Sequence, residues 1–337
     1  MPSIPSEIIE SWSHDLMEHI RVLASDNREL LFLTAEISPV IPKIIKEVNR
    51  DIRIWGVVRG YFWINLQSRV QFAAMRRILS SRRYAEFRFF PLLHSKVLIF
   101  RGAEFTTALI GSGNLTKRSF MEELNHYVII SKEEIVSKLI NDFSLIWDHS
   151  RDDAYYEECS LLPLWKLNQS NLDQEAVRKL VDGYLDGDLD LDYVLTRLNL
   201  SIPLYQWLFL SMVAEEMYIF MYLIEFEAAK RIIVPAMLND ATVKIIASNR
   251  VSTRIEEMIN REAEFHGGKE RVRIKILKGL HAKTAVVKDK RGAWLAYIGS
   301  APLTKSGLHC EVNHGVIITD RRTILRLLDD FDACESV

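Results

Sequence analysis

Two short stretches of the chain place an imidazole two residues before an ammonium: His94-Ser95-Lys96 and His281-Ala282-Lys283. In an extended segment residues i and i+2 share a face, so the strand-like surroundings of both triplets predict that each His and Lys project together. An imidazole titrates near neutral pH and can attack phosphorus or pass a proton, while an ammonium can neutralise phosphate oxygens. Each triplet is followed by Gly-Ser (Gly111-Ser112, Gly299-Ser300) and then by Glu-x-Asn-His, at Glu123–His126 and Glu311–His314. Glu123 and Glu311 are placed to hold an imidazole by its other nitrogen. Ser112, Asn114 and Ser300 are candidates for bonding phosphate oxygens or for fixing neighbouring side chains. His126 and His314 read as structural.

These residues belong to an internal repeat. Gly111–Ile130 laid over Gly299–Ile318 without a gap gives eleven identities in twenty positions. The offset is 188 residues at the glycine and 187 at the His-x-Lys, so the two intervening loops differ by one residue. Upstream, "ELLFLT" answers "YIFMYLI" and "IRIWGVV" answers "VKIIAS". Each half reads as alternating strands and helices followed by further strands and a closing helix. The helices show apolar 3–4 spacing, as in "VIPKIIKEVN", "RVQFAAMRRIL", "TRIEEMINREA" and "DRRTILRLLDDF". The fold class expected is α/β, two repeats packed pseudo-symmetrically: residues 1–150 form the first, 151–204 an acidic helical linker and 205–337 the second.

Within the linker, "DGDLDLD" (Asp186–Asp192) resembles the start of a calcium loop. Leu191 stands where such a loop needs Gly and Arg197 where it needs a bidentate Glu, so a helix-capping turn is expected instead. Ile202–Ile224 is long enough to span a bilayer, but Glu215 and Glu216 interrupt it at a cost of about 2.5 kcal/mol or more each near the bilayer centre. A buried helix, a turn and a core strand are expected there. The N-terminus has no apolar core of a signal peptide, and the three cysteines are too scattered for a disulfide framework or a zinc site. A reduced, cytoplasmic setting fits.

The net charge of −2 hides an asymmetry. Residues 151–197 carry eleven acidic and five basic side chains, whereas 69–118 carry ten Lys/Arg and two Glu, and 269–291 carry nine Lys/Arg and two acids. Both basic blocks enclose a His-x-Lys, an electrostatic footprint for a polyanion. Arg76, Arg77, Arg82, Arg83, Lys117, Arg118, Lys275 and Lys278 are the candidate nucleic-acid contacts. Tyr61, Phe62, Trp63, Phe89, Phe90 and Trp294 lie near these blocks, and core packing is the reading for most of them.

Taken together the motifs resemble the phospholipase D superfamily, whose signature is His-x-Lys, four residues, Asp, six residues and Gly-Ser-x-Asn, usually present twice. The resemblance covers 91–130 and 280–318 in motif and most of both halves in pattern. It implies one active site built from both motifs. His94 and His281 would divide the roles of nucleophile and leaving-group acid, Lys96 and Lys283 would neutralise charge, and no metal or other cofactor would be needed. The chain departs from the signature at its acid, where Arg101 and Lys288 stand; Glu104 and Asp289 are near but out of register. Some active members lack that acid too. Pro302 replaces Asn114 in the second motif, so the first is better equipped and His94 is the expected nucleophile. The implied activity is a metal-independent phosphodiesterase, read as a nuclease acting on DNA in preference to RNA, with a helicase or a defence system as partner and no membrane. A phospholipase or phosphatidyltransferase, or a degenerate nucleic-acid-binding protein, is the alternative.

Overall fold

The computed structural model describes residues 7–10, 15–38, 49, 51–59, 73, 76–77, 84–150 and 172–337. It divides into two units, Met1–Asn168 and Gln169–Val337. Most of helix "VIPKIIKEVN", most of helix "RVQFAAMRRIL", Arg82, Arg83, Tyr61, Phe62, Trp63 and residues 151–171 lie outside the described residues.

Apolar runs without alternation become strands covered on both faces. In the first unit β1 (Glu7–Glu10), β2 (Glu29–Thr34), β3 (Arg53–Val58), β4 (Ala85–Phe89), β5 (Lys96–Arg101), β6 (Thr106–Gly111) and β7 (His126–Ile130) form one sheet in the order β1-β7-β6-β5-β2-β3-β4. Strands β2, β3 and β4 run parallel, and β5, β6 and β7 form an antiparallel meander. Helix α1 (Asp15–Ser25) contributes Leu16, Ile20 and Ala24 to a core with Phe32, Phe100 and Leu109. A short turn of helix, α2 (Lys117–Met121), follows the Gly-Ser loop, and α3 (Glu133–Asp148) packs on β2, β5 and β6.

The second unit repeats the plan. It contains α4 (Gln174–Leu185), α5 (Leu191–Leu198), α6 (Pro203–Val213), β8 (Ala214–Met221), α7 (Phe226–Leu238), β9 (Thr242–Ser248), α8 (Thr253–Phe265), β10 (Val272–Leu277), β11 (Lys283–Asp289), β12 (Trp294–Gly299), α9 (Lys305–His309), β13 (Gly315–Ile318) and α10 (Arg321–Ser336). Its sheet order, β10-β9-β8-β11-β12-β13, matches that of β4 to β7 around the equivalent centre. In both sheets the first strand of the repeat sits between a parallel and an antiparallel neighbour.

The acidic helical segment from 172 onward joins the second unit. Val177, Leu180, Tyr184, Val194 and Leu198 are buried in its core. Asp190 caps α5 by accepting the Tyr193 N–H at 2.7 Å, as the capping reading of "DGDLDLD" expects. Asn199 then uses its side-chain amide like a strand backbone: it accepts the Ile317 N–H at 2.7 Å and donates to the Ile317 carbonyl at 3.2 Å. Gln206 donates to the Gly315 carbonyl at 2.8 Å. The exposed edge of β13 is thereby covered by side chains, where β1 covers the equivalent edge of β7 in the first unit.

Helix α6 is apolar all round because it is enclosed all round, with Trp207, Phe209 and Leu210 fully buried. The expected turn before the strand is absent. The chain passes directly from Val213 into β8 as Ala214 switches to extended backbone. Among the described residues no helix is long and apolar enough to cross a membrane.

Candidate active site

Strand register brings the motif residues to one end of each sheet. Lys96 opens β5 opposite Thr34 at the end of β2, and Val97 pairs with Ile110, so Gly111 arrives beside Lys96. Gly111 in turn pairs with Tyr127 next to His126. In the second unit Lys283 pairs with Met221, Thr284 with Ile298, and Gly299 with Gly315. Both histidines sit just before their strands rather than within them, so the shared strand face expected for each His and Lys does not apply to the His. The two side chains nonetheless meet in the second motif. Lys283 Nζ donates to the His281 carbonyl at 2.7 Å and lies 3.2 Å from Nδ1 and 3.4 Å from Nε2 of the same imidazole. Lys96 Nζ donates to the His94 carbonyl at 2.5 Å. Lys96 and Lys283 are fully buried, His281 is nearly so and His94 is half-buried.

The serines of the Gly-Ser pairs hold their neighbours. Ser112 Oγ donates to Asn125 Oδ1 at 3.0 Å and accepts the His126 N–H at 3.1 Å. Ser300 Oγ does the same with Asn313 Oδ1 at 2.8 Å and the His314 N–H at 3.1 Å. Asn313 passes the link on to the Gly307 carbonyl at 2.9 Å, and Asn125 to the Ser119 carbonyl at 3.2 Å. Of the two roles open to Ser300 and Ser112, the geometry supplies the fixing of side chains. The repeated Leu-Thr-Lys has a similar explanation. Leu115 and Leu303 bridge to Ile37 and Ile224, and Thr116 and Thr304 cap α2 and α9 by accepting the Ser119 and Gly307 N–H groups.

Asn114 differs from these. It is buried, its main-chain N–H donates to Ser119 Oγ at 3.1 Å, and its side-chain oxygen is buried with no hydrogen-bond partner among the described residues. A buried acceptor of this kind costs about 1–3 kcal/mol. Pro302 supplies no such group in the second motif.

Glu123 binds its own repeat's side chains: Arg118 Nε pairs with Oε1 at 2.8 Å and Ser119 Oγ donates to Oε2 at 3.4 Å. Arg118, expected as a nucleic-acid contact, is thus tied to Glu123. Glu311 is half-buried, its main-chain N–H on the Ser306 carbonyl. His126 and His314 are buried behind the serines. Tyr127, whose ring lies over this loop, has its hydroxyl pKa pushed far up by burial and then by the Glu123 charge. A Cβ on Gly111 would stand 2.2 Å from Tyr127 Cδ1, and one on Gly299 2.3 Å from the Tyr297 hydroxyl. The two repeats fill this space from opposite strands, β7 and β12, which is why glycine precedes each serine.

The positions of the family acid lie at the far end of the strands. Arg101 and Lys288 are five residues beyond the lysines, roughly 17 Å along an extended chain. There Arg101 pairs with Glu29 at 2.6 Å, and Lys288 with Glu216 at 3.2 Å and Glu215 at 3.1 Å. In both repeats the cation and the glutamate are register partners on adjacent strands. Asp289 is buried at the β11–β12 turn, where it accepts the Arg291 and Ala293 N–H groups and the Tyr184 hydroxyl. Glu104 is exposed in the β5–β6 turn.

Of the other basic candidates, Arg76, Arg77, Lys117 and Lys278 are exposed, and Lys275 is held to the Glu335 carbonyl. Phe89 and Phe90 are core residues, and Trp294 stacks on Tyr218. Among the described residues no group of three or more His, Cys, Asp or Glu is placed to hold a metal ion.

Sequence reasoning missed Tyr222 and Arg250. The Tyr222 ring lies 4.3 Å from the His281 imidazole, centre to centre, with Lys283 Nζ 4.9 Å and the Arg250 guanidinium 5.3 Å from its centroid. The signal was present in the repeat: Tyr222 aligns with Ala35 at the 187-residue offset.

Two sheets of one topology, each ending in a histidine, a buried lysine and a Gly-Ser loop, define a duplicated α/β protein. The chain belongs to the phospholipase D superfamily: the family model described as "Cardiolipin synthase, PLD-like domain" matches it twice, at residues 20–147 and 209–334. No curated protein sequence matches it. Among solved structures it is similar to the polyphosphate kinase of Porphyromonas gingivalis, at 11% identity and a TM-score of 0.61 over 97% of this chain and 50% of the kinase. This chain thus spans half the length of that enzyme. Nuc, a phospholipase D family member from Salmonella typhimurium, is 18% identical over 44% of this chain and 98% of its own, with a TM-score of 0.37. A mutant yeast tyrosyl-DNA phosphodiesterase is 10% identical over 94% of this chain and 89% of its own, with a TM-score of 0.49. At 11% identity the likeness to the kinase is one of fold.

Proposed function

We propose that this chain is a phosphodiesterase that cleaves nucleic-acid strands through a phosphohistidine, using no metal. The observation that carries the reading is the buried Lys283 ammonium against the His281 imidazole, repeated in the family motif at His94 and Lys96. A buried cation beside a nucleophile or acid gives a phosphate's oxygens a fixed partner in a low-dielectric site. Family membership supports phosphodiester chemistry, and the exposed Arg76, Arg77, Lys117 and Lys278 support a polyanionic substrate.

In the proposed sequence one imidazole nitrogen attacks phosphorus, forming P–N as the P–O bond to the leaving group breaks. The other histidine, protonated, gives its proton to that oxygen. Water then attacks phosphorus, the second histidine takes the proton back and the P–N bond breaks. One imidazole cannot be neutral nucleophile and protonated acid at once, which is the chemical reason for two motifs. His94 is assigned as nucleophile because Asn114 gives its motif a side-chain amide that can donate to phosphate, where Pro302 gives the second motif none, and His281 as acid.

The test offers purified protein labelled single- and double-stranded DNA, RNA and a phospholipid in excess EDTA. Release of oligonucleotide products in EDTA is expected. Loss of cleavage restored by magnesium rejects the chemistry, and cleavage of the phospholipid alone transfers the reading to a lipid enzyme.

A further inference from the structure

We propose that Tyr222 and Arg250 form a substrate-positioning arm on the second motif, in which Arg250 binds the phosphate next to the one that reacts. The inference rests on the phosphodiesterase reading and narrows its substrate to a strand with successive phosphates.

Tyr222 follows directly on Met221, the register partner of Lys283, and its N–H donates to the Ala282 carbonyl at 3.0 Å. The ring is thereby pinned beside the His281-x-Lys283 segment. Three basic groups surround it. His281 and Lys283 are buried, and Lys283 is bonded to His281. Arg250 is exposed, and no carboxylate pairs with it among the described residues. Its loop is fixed from beneath: Ser248 Oγ accepts the Arg250 N–H at 3.3 Å, the Ser248 carbonyl accepts the Val251 N–H at 2.9 Å, and Ser252 caps α8.

A guanidinium resting over an aromatic ring uses its face and leaves its N–H edges free for a bidentate oxyanion. The imidazole and the guanidinium lie 4.3 and 5.3 Å from the centre of the same ring, so a phosphate on those edges is a neighbour of the one at His281. A lipid headgroup phosphodiester with a single phosphate has nothing to place there; a nucleic-acid strand does. Among the described residues the first repeat has no counterpart of the Tyr222 ring, because Ala35 occupies the aligned position and is buried.

The test compares Arg250→Ala with wild type on a labelled single-stranded oligonucleotide and on bis(4-nitrophenyl) phosphate, which has no second phosphate. Loss of kcat/KM on the oligonucleotide is expected to be roughly 10- to 100-fold, the range of a hydrogen bond to a charged group, carried in KM and at least about tenfold larger than on the small diester. The slope of log affinity against log salt should fall by about one. Tyr222→Phe should retain wild-type discrimination, since the ring remains. Equal losses on both substrates, or no loss on either, overturn the arm. If wild type cleaves neither substrate, the phosphodiesterase reading fails separately. Fluorescence anisotropy of the oligonucleotide then decides the arm: weakening of about 10-fold or more in Arg250→Ala supports it, and unchanged affinity rejects it.

Discussion

Ser300 Oγ donates to Asn313 Oδ1 at 2.8 Å, and Ser112 Oγ donates to Asn125 Oδ1 at 3.0 Å, one arrangement made twice. In each case a serine that reads either as a phosphate ligand or as a support for its neighbours spends its hydroxyl on an asparagine thirteen residues later. Ser300→Ala leaves buried Asn313 and His314 groups unsatisfied, and a loss of about 1–3 kcal/mol in urea unfolding is expected. A loss of activity at unchanged stability would instead return the hydroxyl to the substrate.

The paired histidines give a sharper expectation. His94→Ala and His281→Ala should each lower turnover by roughly 10²- to 10⁴-fold, rather than each leaving half. With a substrate bearing a good leaving group, His281→Ala should still accumulate a phosphohistidine, mapped by mass spectrometry to His94. An adduct on His281 reverses the assignment, and two half-active single variants reject the division of labour.

The far-end ion pair is expected to matter little. Arg101→Ala removes the partner of Glu29 about 17 Å along the strand from Lys96. Its side chain is 46% exposed, so a change within about 1 kcal/mol is expected, with kcat/KM unchanged. A large activity loss would show that the position of the family acid acts on the site after all.

Glu216 makes stability depend on pH. The Tyr218 hydroxyl bonded to its carboxylate, and then Lys288, hold its pKa below the ordinary value. A carboxyl depressed in the fold contributes stability above its unfolded pKa and loses it as pH falls through the folded value. The destabilisation caused by Glu216→Gln should therefore be full at neutral pH and shrink below about pH 4. Denaturant midpoints of both proteins across that range measure it; a constant gap would show that the charge is not the cause.

The sequence by itself determined the duplication, the α/β class and the His-x-Lys and Gly-Ser residues that gather at one end of each sheet. These were legible because strand pairing keeps local spacing: residues a few positions apart along β5 and β6 stay neighbours whatever surrounds them. The membrane-like run 202–224 was also readable as core, because Glu215 and Glu216 mark where β8 surfaces to meet Lys288. Other features were decided only by tertiary structure. Tyr222 meets Arg250 because β8 and β9 are adjacent and parallel, a contact across 28 residues that no local pattern encodes. Asn199 substitutes for a strand on β13, and the acidic helices join the second core, because a side-chain amide and an apolar helix face are satisfied by whatever the fold brings near. The glycines of Gly-Ser announced a close approach, but whether the ring came from β7 or from β12 depended on packing. Each repeat has one space of that shape, and a tyrosine from either strand fills it.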